Sequence, residues 1–185
     1  MRSLLAVVLV AASTTAASAG TYLGLGIGTA ARPSGDLPAT TGDGNRAGRL
    51  IAGLQLGHLS IGHVSVEATG SRFGELRRNA YAYQGTMLAA DLKYSLPLGD
   101  NFEAFGRAGL ERTWLSTDPS NVPDYAGNGW LLGAGFEYRF DVGATGASVF
   151  VDYERTGTTL VNQAVMTNTA DEQVGIWMLG ATVSL

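Results

Sequence analysis

Apolar residues alternate with polar or small ones over long stretches of this chain, the period of two that sends successive side chains to opposite faces of a strand. In residues 129–140, Leu132, Phe136 and Tyr138 share one face while Glu137 and Arg139 share the other. Residues 149–155 repeat the arrangement, with Val149, Val151 and Tyr153 set against Asp152 and Glu154, and residues 88–94 set Leu88 and Leu92 against Asp91 and Lys93. The pattern predicts eight strands, at 20–30, 48–57, 63–72, 83–96, 102–115, 129–140, 147–157 and 173–185. Most reach the roughly 9–11 residues that a tilted membrane-crossing strand needs, whereas soluble strands average about 5–6.

One polar face and one greasy face fit two architectures. A soluble sandwich buries the greasy face, while a closed barrel in a membrane turns it toward lipid and puts the charges inside. The connections favour the barrel. Those at 31–47, 73–82, 116–128 and 158–172 are long and polar, and those at 57–62, 97–101 and 141–146 are tight. Long loops therefore gather at one end and short turns at the other, as in outer-membrane barrels. Aromatics follow the same division: Tyr94, Phe102, Tyr138 and Phe140 sit near short turns, Trp114 and Trp130 near long loops. Two such belts mark the two interfaces of a bilayer. In the first strand Leu23, Leu25 and Ile27 face one way and Gly24, Gly26 and Gly28 the other, so the glycines leave room inside a narrow barrel. The glycine spacing is no dinucleotide fingerprint, because Thr29 stands where the third glycine belongs and no helix follows.

Composition narrows the setting. Arg2, an apolar run from Leu4 to Ala12 and the small-residue site Ala17-Ser18-Ala19 predict a secretory signal peptide over 1–19, leaving a single domain over 20–185. The apolar run is too short for a spanning helix of roughly 20 residues. The 185 residues carry a formal charge of -4, which argues against a nucleic-acid partner, and contain no cysteine, which excludes disulfide and thiol chemistry.

With these features the chain resembles the small eight-stranded outer-membrane barrels of the OmpA and OmpX type. The resemblance covers the whole exported chain and rests on Val64 to Ala68, Gly133 to Tyr138, Val151 to Glu154 and the closing strand. There Trp177, Leu179, Ala181, Val183 and Leu185 alternate up to the last residue, which is Leu where the family signature has an aromatic. The resemblance implies an all-β, eight-stranded, antiparallel up-and-down transmembrane barrel in the bacterial outer membrane, monomeric, with both termini periplasmic. It also implies outer-membrane lipids and lipopolysaccharide as surroundings, and recognition of the last strand by the barrel assembly machinery. No peptidoglycan-binding domain is expected after the barrel.

Strand phase then assigns Glu67, Asp91, Lys93, Glu103, Arg107, Glu111, Glu137, Arg139, Asp152 and Glu154 to the lumen. Buried charges must pair or reach water. A polar core that locks the barrel is the preferred reading over a salt-bridge-gated ion path, because eight strands leave little room for a channel. The acid excess predicts water in the lumen or carboxyls that keep their protons. Neither a metal site nor a cofactor is expected. An acid/base role for Asp152 and Glu154 would need a cleft that the pattern does not supply.

His58-Leu59-Ser60 is similar to the His-x-Ser pair of lipid A deacylase barrels, but Ile61 replaces the following Asn and the segment falls in a short turn. The expectation is a non-enzyme. Arg32, Arg46, Arg49, Arg72, Arg77, Arg78, Arg112 and Arg155 lie in or beside long loops, outside the lumen. Since guanidinium forks suit phosphate, Arg72, Arg77, Arg78 and Arg155 are candidates for lipopolysaccharide contact. The expected role is envelope integrity and surface display or adhesion through four extracellular loops, with a narrow pore as the alternative and a lipid A-modifying enzyme third.

Overall fold

The computed structural model describes residues 20–35, 40–41, 46–78, 81–117, 124–164 and 169–185; the signal-peptide expectation for 1–19 lies outside them. Among the described residues there are ten strands: β1 (Thr21–Gly28), β2 (Arg32–Gly35), β3 (Thr40–Thr41), β4 (Ala47–His58), β5 (His63–Arg78), β6 (Tyr81–Pro97), β7 (Phe102–Thr117), β8 (Tyr125–Val142), β9 (Thr145–Asn162) and β10 (Thr169–Ser184). Eight of them form an antiparallel ring in the order β1, β4, β5, β6, β7, β8, β9, β10, closed by pairing of β10 with β1. Closure removes the free edges of this eight-stranded ring, the condition for strands to cross a membrane. It also ties Leu185, just past β10, to the first residue of β1, since Leu185 N–H donates to Thr21 O at 2.9 Å.

The register fixes the barrel's shape. Cross-strand partners followed from Thr21 run through Leu54, Val66, Leu92, Ala108, Leu132, Arg155 and Gly175 to Arg32, eleven residues further along the same edge. The ladder slips by one residue between β1 and β2, which leaves a stagger of ten. Such a stagger on eight strands tilts them by about 40°.

The strands outrun the expected spans at the long-loop end. β8 and β9 each have 18 residues, and β5 and β6 pair out to Arg78 and Tyr81. Within the segments read from sequence as loops, residues 73–78, 81–82, 116–117, 125–128, 158–162 and 169–172 are thus strand. β2 continues β1 along β10, and β3 pairs with Arg77 and Leu76 of β5, so part of 31–47 is strand too. Apolar alternation stops where lipid stops, but the backbone ladder continues because its hydrogen bonds do not depend on what the outer side chains face.

The outer wall carries Leu25, Leu50, Leu92, Leu110, Leu132, Val151 and Leu179, all exposed. Leu110 is 74% exposed, an arrangement that water would penalise and acyl chains favour. Near the short turns the wall carries Tyr94, Phe102, Phe136, Tyr138 and Phe140, with the Phe102 and Phe136 rings stacked at 5.7 Å. Toward the other end lie Trp130 and the Tyr153–Trp177 pair, whose centroids are 5.1 Å apart.

Inside, the filling is layered. Charged and hydroxyl side chains, with the rings of Phe105 and Phe150 among them, occupy the turn end and the middle. Phe73, Tyr83, Met87, Leu115, Tyr125, Leu131, Leu160 and Ile176 fill the loop end and are all buried. The inner face is therefore not polar throughout. Large inward rings sit directly opposite glycines: Phe73 faces Gly85, Phe150 faces Gly180 and Tyr22 faces Gly53. A Cβ on any of these three glycines would overlap the facing ring. Gly28 likewise leaves the space taken by Met178 Sδ.

Candidate functional site in the barrel lumen

Alternation along β4, β5, β6, β7, β8 and β9 brings the inward charges to one level near mid-height. Arg107 is at the centre, its guanidinium 2.8 Å from Asp91, 3.4 Å from Asp152, 3.5 Å from Glu154 and 3.7 Å from Glu67. Arg49 grips the same acids from the opposite wall, 2.9 Å from Asp152 and 2.6 Å from Glu154. Lys93 lies 2.6 Å from Glu137, 3.6 Å from Glu67 and 4.4 Å from the centroid of the Phe105 ring. Tyr22 donates its phenol to Glu67 at 2.7 Å.

Arg49 is a correction. It was placed with the loop-end arginines outside the lumen, yet it is buried inside, in phase with inward Ala47 and Ile51 and opposite in phase to lipid-facing Leu50. A fourth base thus joins the lumen, and Glu172, buried on β10 in phase with Val174, adds an acid there as well. Five polar atoms of the cluster (Arg49 Nε, Arg107 Nε, Asp91 Oδ1, Asp152 Oδ1 and Glu154 Oε1) have no protein partner among the described residues. Bound water would complete their hydrogen bonding.

The remaining lumen candidates divide by height. At the turn end Arg139, 41% exposed, reaches Glu103 at 3.1 Å and Glu137 at 3.8 Å, and donates to His63 Nε2 at 2.7 Å. His63 is the first residue of β5 and points inward beside Glu103 at 3.7 Å. A cavity of about 240 Å³ opens here, lined by Tyr22, Gln55, Ser65, Lys93, Glu137 and Arg139 among others. Higher up, Glu111 meets no cation among the described residues. It accepts hydrogen bonds from Thr113 at 2.6 Å and from Thr158, where the ionic layer gives way to the apolar one.

Outside the lumen, His58 and Ser60 are exposed beside the short turn after β4, where the His58 imidazole lies 3.1 Å from the Gln55 amide. Arg72 and Arg155 are exposed on the outer wall, and the side chains of Arg77 and Arg78 lie outside the described residues. Among the described residues no cluster of His, Asp and Glu could hold a metal ion.

A closed ring with an apolar, aromatic-banded outer wall and an ion-paired lumen defines a membrane β-barrel. The chain belongs to the outer membrane protein beta-barrel domain family, whose model matches residues 3–182, and it is an outer-membrane protein. Among solved structures it is similar to Neisserial surface protein A, with a TM-score of 0.71 at 15% identity over 90% of this chain and 97% of that one. It is also similar to Ail, the attachment invasion locus protein of Yersinia pestis, with a TM-score of 0.56 at 14% identity over 90% and 99%. The outer membrane enzyme PagL follows at 0.50 and 15% over 89% and 99%. Likeness at these identities is likeness of fold. No curated protein matches the sequence.

Proposed function

We propose that this protein is a non-enzymatic outer-membrane barrel that contributes to envelope integrity and displays its extended strands and loops at the cell surface, adhesion included. The observation that carries this reading is the filled interior. An ion-paired layer around Arg107 is followed by an apolar layer around Phe73, Met87, Leu131 and Leu160, each at most 2% exposed. A lumen packed twice over supports a scaffold rather than a passage. The strands supply the display platform: 18 residues of β8 at roughly 3.3 Å each and a tilt of about 40° rise well beyond an apolar band about 25 Å tall. In this reading the long-loop end faces outward, lipopolysaccharide surrounds it, and the assembly machinery receives β10.

A narrow pore is the second reading, favoured by the cavity at the turn end. Enzymatic work on lipid A has less support. His58 faces an amide, and neither it nor Ser60 lies on the lipid-facing wall at the loop end. Planar-bilayer recording decides between scaffold and pore. The purified protein is expected to give no steady current, and a reproducible open level would replace the scaffold with a channel.

A further inference from the structure

Each of the four ascending strands presents one exposed arginine where it leaves the apolar band: Arg32 on β2, which continues β1, Arg72 on β5, Arg112 on β7 and Arg155 on β9. At a tilt of about 40° the pairing line climbs roughly 3 Å per strand, and each residue rises roughly 2.5 Å along the axis. The registers then bring all four to within roughly 6 Å of one height, beside Trp130 and Trp177.

Three of the four are held in the same way. Arg72 donates to the Gln84 side chain at 2.5 Å, Arg112 to Asn128 at 3.2 Å and Arg155 to Gln173 at 2.5 Å, in each case across to the next descending strand. An amide carbonyl orients the fork without neutralising it. Among the described residues no carboxylate lies within ion-pair distance of these three guanidinium groups, in contrast to Arg49 and Arg107 inside. Arg112 also packs 5.4 Å over the Trp114 ring, which keeps it against the wall. A chain with net charge -4 thus carries at one membrane interface a collar of four arginines, three of them oriented by amides and without a carboxylate partner among the described residues. Each fork uses one of its five N–H groups on the amide and keeps the others for a ligand.

We propose that this collar binds the phosphates of lipid A in the outer leaflet, one arginine and amide pair per phosphorylated glucosamine. The inference rests on the outward orientation of the loop end given above. It adds Arg32 and Arg112 to the phosphate-contact candidates Arg72 and Arg155, while the side chains of Arg77 and Arg78 lie outside the described residues. Planar forks match phosphate oxygens bidentately, and the flanking tryptophans suit the boundary between headgroup and acyl chain.

Native mass spectrometry of the purified protein is the test, after incubation with diphosphorylated lipid A, dephosphorylated lipid A or phosphatidylglycerol. The protein is expected to retain at least ten times more diphosphorylated than dephosphorylated lipid A, and the R32Q/R72Q/R112Q/R155Q variant to lose that preference. Equal retention of the two forms by the unmodified protein overturns the collar, with no variant needed. So does a folded quadruple variant that keeps the preference, and equal retention of phosphatidylglycerol overturns the assignment to lipid A. Unheated and boiled samples of the same preparation are run on a detergent gel. A mobility shift with no lipid preference overturns the collar alone, whereas no shift overturns the membrane barrel as well.

Discussion

Arg107→Ala tests the ionic layer at its centre. The substitution removes the guanidinium from four carboxylates at once, but the loss is unequal. Asp152 and Glu154 keep Arg49 at 2.9 and 2.6 Å, and Glu67 keeps Lys93 at 3.6 Å and the Tyr22 phenol at 2.7 Å. Asp91, with its side chain fully buried, loses the only cation within ion-pair distance among the described residues. The gross attraction at 2.8 Å is about 6 kcal/mol at an effective dielectric of 20. Breaking one buried pair and leaving the partner behind costs about 3–5 kcal/mol in measured cases, and that is the expected loss here. Reversible urea unfolding in lipid vesicles reads it directly. Because most of the cost is the stranded Asp91 charge, Arg107→Ala combined with Asp91→Ala should lose at least about 1 kcal/mol less than the sum of the single variants. A loss under about 1 kcal/mol for Arg107→Ala, or strict additivity in the double variant, refutes the reasoning.

Further outcomes follow from the same layering. Leu92 and Leu98 are 56% and 55% exposed, but one is on the wall and the other in a short turn. Leu92→Arg should therefore cost about 2–4 kcal/mol in vesicle unfolding and Leu98→Arg close to none, and equal costs would place Leu92 in water. Gly85→Leu should lose about 1–3 kcal/mol by overlap with the Phe73 ring and regain part of it in a Phe73→Ala background; no recovery would mean that the two do not touch. Arg107→Ala protein that still folds should remain non-conducting in planar bilayers, because Met87, Leu131 and Leu160 close the lumen above it. A steady current in that variant would make the ion pairs the sole barrier.

The parts of this fold that were legible in the sequence are those governed by lipid contact. Leu92, Tyr138, Val151 and Tyr153 alternate with charges because the two sides of one strand meet different media, so phase and the turn-end aromatics could be read directly. Beyond the bilayer the contrast fades, so β5, β6, β8 and β9 run further than the pattern showed. Within the apolar layer Trp130, Leu131 and Leu132 are all hydrophobic although only Leu131 points inward. Arg49 was read by its nearness to a loop, and its phase opposite Leu50 was the signal that would have placed it correctly. Which acid each base meets depends on a stagger of ten and on side chains crossing the lumen, neither of which is written in local spacing. The arginine collar has the same origin, since Arg32, Arg72, Arg112 and Arg155 are forty or more residues apart except where register brings them level.

The central claim is that the apolar face looks outward into lipid and the charges look inward. The chain's three tryptophans, Trp114, Trp130 and Trp177, all sit on the outer wall toward the loop end. Tryptophan emission in vesicles of brominated phospholipids therefore measures the claim without any substitution. The expected result is strong quenching, deeper when the bromines lie near the headgroup than when they lie at the bilayer midplane. Emission unchanged by brominated lipid would put the tryptophans away from the acyl chains and contradict the account.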